Sequence, residues 1–280
     1  MKITISKKKY SCPMVMGILN ITPDSFYDGG LYQNYNKAID HVANMINSGA
    51  EIIDIGGEST RPGSLSISAE QELDRIIPVV KGIKKRFNIL VSVDTSKAIV
   101  MKKVEKLGVD IINDVRSLKE DSVIETLSNN NLKICIMHMP KKPKNMQKNI
   151  FYTNVIKEVN DYLIKIIERC KKFGINKNRL IIDPGFGFGK KMTHNYQLLA
   201  NLNYFHILKL PILVGISRKS MIGELLNLST SQRMIGSLAA SVIAAMQGVS
   251  IIRTHDVKET VECMKIVKKT LSFLKKNYYE

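Results

Sequence analysis

Apolar residues fall along this chain in short unbroken runs, and each run ends abruptly in polar residues. The runs are Val15–Leu19, Ile52–Ile55, Ile89–Val93, Val109–Ile112, Ile134–Met137, Leu180–Ile182, Ile212–Val214 and Ser250–Ile252. Stretches of Val, Ile and Leu without alternation suit strands buried on both faces, as in a parallel sheet. Segments of helical period lie between them, so a βα unit recurs eight times. The pattern predicts an α/β chain folded as a (β/α)8 TIM barrel, with functional residues where strands end and loops begin.

The remaining segments fill in this scheme. Thr22–Asn36 is rich in Gly, Asp, Tyr and Asn without helical period, and reads as a long first βα loop. Glu58–Ser66 is a second such loop, where Pro62-Gly63 prevents a helix, and Pro140–Lys148 is a third. Ser68-x-x-Gln71 predicts a capping box, and Ile156–Phe173 a helix closed by Gly174. Gly236–Met246 is dense in Ala and Ser, which predicts close packing against the barrel wall or a partner subunit. Ile3 and Ile5 alternate with Thr4 and Ser6, suggesting a short N-terminal hairpin across the barrel bottom.

Composition adds limits. The 280 residues are 44% hydrophobic with no linker or low-complexity stretch, so residues 1–280 are expected to form a single domain. No apolar run approaches the ~20 residues of a membrane helix, and Met1–Tyr10 lacks the apolar core of a secretory signal. Cys12, Cys135, Cys170 and Cys263 are far apart and form no C-x-x-C, which argues against zinc or a disulfide framework and for a reducing, cytoplasmic setting. The net charge of +17 raises a nucleic-acid partner as a rival reading. Against it, lysines are spread along helix faces among acids, without interleaved aromatics. The richness in Lys, Asn and Ile reads as a compositional bias, though the excess positive charge would still help attract an anionic substrate.

Asp183–Lys190, DPGFGFGK, invites a P-loop reading that fails: three residues separate Gly185 from Gly189, and Lys191 follows Lys190. Its glycines suit close backbone approach or a strained loop. Asp94, Asn113 and Asp183 end runs three, four and six, and in a barrel they converge on one cavity. Two carboxylates and an amide there suit a planar ligand rich in N–H donors; the alternative is that each Asp caps the following helix. Ser217-Arg218-Lys219-Ser220 and Arg253-Thr254-His255 follow runs seven and eight, the corner where barrels commonly bind phosphate. Arg61, beside Pro62, could reach the same anion.

Taken together, these residues resemble the dihydropteroate synthase family. The matching segments are Met16–Gly30, Ile53–Gly63, Val91–Lys97, Ile112–Asp114, Met137–Met139, Asp183–Lys190, Ser217–Gly223, Gly236–Gly248 and Arg253–Val257, in order and over nearly the whole chain. The resemblance implies a pterin-binding barrel of folate biosynthesis, a sulfonamide target and usually a homodimer. Such enzymes condense 6-hydroxymethyl-7,8-dihydropterin diphosphate with 4-aminobenzoate. By position, Asp94, Asn113, Met137, Asp183 and Lys219 would hold the pterin, and Thr60, Arg61, Arg253 and His255 the diphosphate. Phe26, Pro62, Phe188 and Ser220, with Lys219, would frame the aminobenzoate, and Asn20 would hold a Mg2+. Asp28, Lys219 and Arg61 would serve catalysis, Asp28 by stabilising the cation left when diphosphate departs. The basic stretch Pro140–Pro143 and Tyr27 depart from the family pattern. A cobalamin-type methyltransferase barrel would share the pterin pocket but needs no cationic clamp. Arg61, Lys219 and the Arg253/His255 pair argue against it.

Overall fold

The computed structural model describes residues 12–21, 31–59, 64, 66–140, 146–147 and 150–273. The expected N-terminal hairpin, Phe26, Tyr27, Asp28, Thr60, Arg61 and Pro62 lie outside these residues, as does most of Pro140–Lys148.

Among the described residues eight strands form, each from one of the apolar runs. They are β1 (Met14–Asn20), β2 (Ile52–Gly56), β3 (Leu90–Asp94), β4 (Ile111–Asp114), β5 (Lys133–Met137), β6 (Leu180–Asp183), β7 (Leu213–Val214) and β8 (Ile251–Thr254). All pair in parallel in the order β6-β5-β4-β3-β2-β1-β8-β7. A single bridge between Ile182 and Ile212, with Ile182 N–H donating to the Pro211 carbonyl at 3.0 Å, closes β6 onto β7. The barrel is the predicted (β/α)8 architecture.

Helices follow the strands: α1 (Leu31–Asn47), α2 (Ala69–Arg86), α3 (Ala98–Glu105), α4 (Asp121–Ser128), α5 (Val155–Lys172), α6 (Met192–Ala200), α7 (Ser220–Leu226), α8 (Met234–Met246) and α9 (Val257–Phe273). The capping box forms, with reciprocal Ser68–Gln71 bonds of 3.1 Å. Gly174 follows α5 at φ +78°, as its sequence position suggests. One boundary differs. Helix α1 starts at Leu31, inside the segment expected to be loop. Its polar composition hid the spacing of Tyr35, Ala38, Ile39, Val42 and Met45, which packs this helix on the core.

Strand residues alternate between two cores. Outward residues such as Val15, Ile53, Ile55, Val91, Val93, Ile112, Ile134 and Ile182 meet the helices. Inward residues, one per strand, form a separate plug: Met16, Ile52, Leu90, Ile111, Cys135, Ile181, Leu213 and Ile251. Both faces are therefore dry, which is why the runs show no polar alternation. Cys135 belongs to the plug, and burial pushes its thiol well up.

Helix α8 divides its surface. Ser237, Ala240, Ser241, Ala244 and Ala245 are buried, whereas Ile235, Ile243 and Met246 are exposed. Truncating the plug should cost far more than truncating an exposed apolar residue. Ile181→Ala is expected to lower unfolding free energy by about 2–5 kcal/mol, and Ile99→Ala by less than about 0.5 kcal/mol, both measured by urea denaturation.

Candidate active site

The chemistry begins two residues above the plug. On each strand the next inward residue is Ile18, Asp54, Ser92, Asn113, Met137, Asp183, Gly215 or Arg253. An apolar layer thus gives way within one strand repeat to a ring of mostly polar residues. Above it lie Asn20, Gly56 and Asp94, in register across β1, β2 and β3. Most polar residues expected to follow the strands instead form their last rungs. Asn20, Asp94, Asn113, Asp183 and Arg253 are all on the ladder, which fixes their direction more firmly than a loop would.

Arg253 occupies the centre. Its Nε donates to Asp54 Oδ2 at 2.6 Å and its Nη2 to Asp94 Oδ2 at 3.4 Å. Burial opposes its charge, but the two carboxylates outweigh that effect. Asn113 Nδ2 donates to Asp54 at 3.3 Å, so its Oδ1 remains as an acceptor. Burial pushes Asp94 up to about 8, with the adjacent Asp54 charge adding and Arg253 opposing. Burial also raises Asp183, against the pull of Lys219 and a hydrogen bond from Gly185 N–H at 2.7 Å. Neither Asp94 nor Asp183 caps a helix: α3 and α6 start behind Lys97 and Lys191. The capping alternative is therefore excluded for both carboxylates.

The glycine-rich turn after β6 is shaped by protein, not by ligand approach. Gly185 sits at φ +73°, and a Cβ there would lie 2.1 Å from the His138 carbonyl oxygen. Lys190 turns back underneath. Its Nζ donates to the carbonyls of Gly185 at 2.7 Å and Phe188 at 3.1 Å, and reaches His138 Nδ1 at 2.8 Å. Burial pushes Lys190 well down, while burial and the Lys190 charge push His138 down to about 2. A neutral imidazole is the acceptor this geometry needs. The staple presents Phe188 to Lys219, whose Nζ stands 4.4 Å from the ring centroid and donates to the Phe186 carbonyl. Burial lowers Lys219 to about 8, with Asp183 holding it up.

The corner after β7 and β8 is partly committed to structure. Ser217 Oγ meets His255 Nδ1 at 3.0 Å, which orients the exposed imidazole. Arg218 pairs with Asp256 through Nε at 3.1 Å and through Nη2, so it does not join the anion corner. Ser220 is exposed at the first position of α7.

The structure brings Asn20, Asp94, Asn113, Met137, Asp183, Phe188, Lys219, Ser220, Arg253 and His255 to the same end of the barrel. Sequence reasoning missed Asp54, Ser92 and the Lys190–His138 staple. A lone Asp inside the run Ile52–Ile55 was the available signal for Asp54. It also missed Lys97, which pairs with both Glu58 and the fully buried Glu72. Among the described residues no group of three or more His, Cys, Asp or Glu could hold a metal. The Asn20 carboxamide, a hard neutral oxygen donor aimed across at Gly56 beside Asp94, could supply one ligand to a hydrated cation.

These features define a barrel enzyme for a planar, N–H-rich ligand beside an anion. The model of the family described as "Pterin binding enzyme" matches residues 16–255. The chain is 56% identical over 270 residues to dihydropteroate synthase of Escherichia coli, covering 96% of each. A Yersinia pestis dihydropteroate synthase in complex with a sulfonamide drug superposes with TM-score 0.90 at 54% identity, covering 94% of this chain and 96% of that one. A Xanthomonas albilineans dihydropteroate synthase in complex with 7,8-dihydropteroate does so with TM-score 0.85 at 38% identity, covering 93% and 94%. The chain belongs to the dihydropteroate synthase family.

Asp94 also predicts a pH dependence of stability. Burial and the Asp54 charge shift release of the folded-state Asp94 proton up toward about pH 8, whereas an unfolded Asp releases it near pH ~4. Over that window the folded chain binds more protons, so Asp94 makes stability fall as pH rises. Asp94→Asn should reduce this slope in urea denaturation between pH 5 and pH 8; an unchanged slope would refute the assignment.

Proposed function

We infer that this chain is a dihydropteroate synthase, a transferase joining 6-hydroxymethyl-7,8-dihydropterin diphosphate to 4-aminobenzoate with release of diphosphate. The observation that carries this reading is the convergence of Asp94, Asn113 and Asp183 with Lys219 and Arg253 at one barrel mouth. The acids and the Asn113 carbonyl oxygen accept from the N–H edge of a pterin, and Met137 lines the apolar wall with Val115, Met139 and Phe188. Carboxylates buried this deeply bind N–H groups strongly because water does not compete.

Arg253 and His255 would bind the diphosphate, with Thr60 and Arg61 as further contacts by sequence position. Asn20 would hold a Mg2+ together with the substrate's own oxygens, and the ion would disperse charge on the leaving group. Fixed cations lower the barrier to departure because their field is already aligned. Asp28 would stabilise the resulting pterin cation. Phe188, Ser220, Phe26 and Pro62 would frame the aromatic amine, and Lys219 spans both subsites by lying over Phe188 while interacting with Asp183. Once the C–O bond to diphosphate has broken, the neutral amine attacks the exocyclic carbon and its surplus proton passes to solvent or the departed diphosphate, so no protein nucleophile is needed.

All described strands and helices build one barrel, which supports a single-domain enzyme. Four unpaired cysteines support a cytoplasmic setting, and no helix among the described residues is long and apolar enough to cross a membrane. The exposed apolar residues Leu225, Leu226, Ile235, Ile243 and Met246, on α7 and α8, support a homodimer through this face.

The purified protein should release diphosphate only when both substrates and Mg2+ are present. Asp183→Asn should reduce pterin affinity at least tenfold with little change in urea midpoint; unchanged turnover would refute the pocket assignment. Sedimentation should give a dimer mass, shifting toward monomer for Ile235→Asp; an unchanged dimer would place the interface elsewhere.

A further inference from the structure

We infer that Asp54 is a positioning residue that makes Arg253 a two-armed coupler between the ring and diphosphate halves of the substrate. The inference rests on the functional reading above and goes beyond it by assigning a role below the substrate pockets.

The two arms of Arg253 are unequal. Nε meets Asp54 at 2.6 Å, whereas Nη2 meets Asp94 at 3.4 Å. Asp54 has no exposed surface, but Asp94 retains 9% at the mouth. A ligand can therefore compete for the upper contact but not for the lower one. Asp54 has strong reason to keep its arm. Its Oδ1 is buried without a hydrogen-bond partner, as is Oγ of the cross-strand neighbour Ser92. Among the described residues Arg253 is the only cation paired with Asp54. A buried carboxylate with one cationic partner does not release it readily.

When a ring N–H group takes Asp94, Nη2 loses its acceptor while Nε stays anchored. The guanidinium then presents its free edge to an anion above the ring, and no side chain has to be recruited from solvent. Asn113, held by the same Asp54 oxygen, keeps its carbonyl toward the ring. Ring binding and anion binding should therefore favour each other, since each satisfies a group that the other leaves unpaired.

The test uses the intact protein with Mg2+, with inorganic diphosphate and 6-hydroxymethyl-7,8-dihydropterin as separate calorimetric probes. Saturating pterin should tighten diphosphate binding at least tenfold; equal affinity with and without pterin would overturn the coupling. Asp54→Asn should raise KM for the pterin diphosphate at least tenfold while leaving KM for aminobenzoate within about twofold. In an Arg253→Met background the same change should add less than twofold, because Asp54 acts through Arg253. Additive effects, or equal effects on both substrates, would assign Asp54 a general packing role. Should Asp54→Asn fail to fold, the calorimetry on the unmodified chain still decides. If that chain does not condense the two substrates, the functional reading falls; if it does and the coupling is absent, this inference alone falls.

Discussion

A closed barrel of eight parallel strands gives every second side chain an address inside a confined cylinder, where each neighbour's polarity matters. In this chain the interior changes character at one level. Below it, Met16, Ile52, Ile111, Ile181 and their counterparts fill the cylinder with apolar bulk. Immediately above it, Asp54, Ser92, Asn113, Asp183 and Arg253 crowd together where water is scarce. Opposite charges buried at such close quarters must find one another, and the resulting pairings determine how the cavity can meet a ligand.

Two consequences follow for the chemistry. Carboxylates buried away from water accept strongly from directed N–H donors, which suits recognition of a flat, N–H-rich heterocycle. The cations are likewise constrained. Lys219 is held between a carbonyl and an aromatic face, and Arg253 between two acids. Neither has to be ordered from solvent when substrate arrives, so little conformational entropy is lost on binding.

Much of this was legible before any coordinates. The apolar runs located all eight strands because both faces of a parallel barrel are dry. The polar residues at their ends marked the mouth, and Asp94, Asn113, Asp183, Lys219 and Arg253 were found there. What was not legible depended on partners distant in sequence. Asp54 looks like an interruption of a run until Arg253 is placed beside it, across 199 residues. Lys190 looks like the end of a nucleotide loop until His138 and two carbonyls are seen to accept its hydrogen bonds. The start of α1 was obscured by Asn and Tyr residues that are poor helix signals, although Tyr35 and Ile39 already had the spacing of a buried face.

The seam between β6 and β7 differs from the others. It is closed by one bridge at Ile182 and Ile212, whereas the β1–β2 ladder carries five registered pairs. Amide protons along this seam should exchange with solvent through the smallest local openings in the sheet. The seam lies below the turn that carries Phe188, so local opening of the sheet would be felt first on that flank of the site.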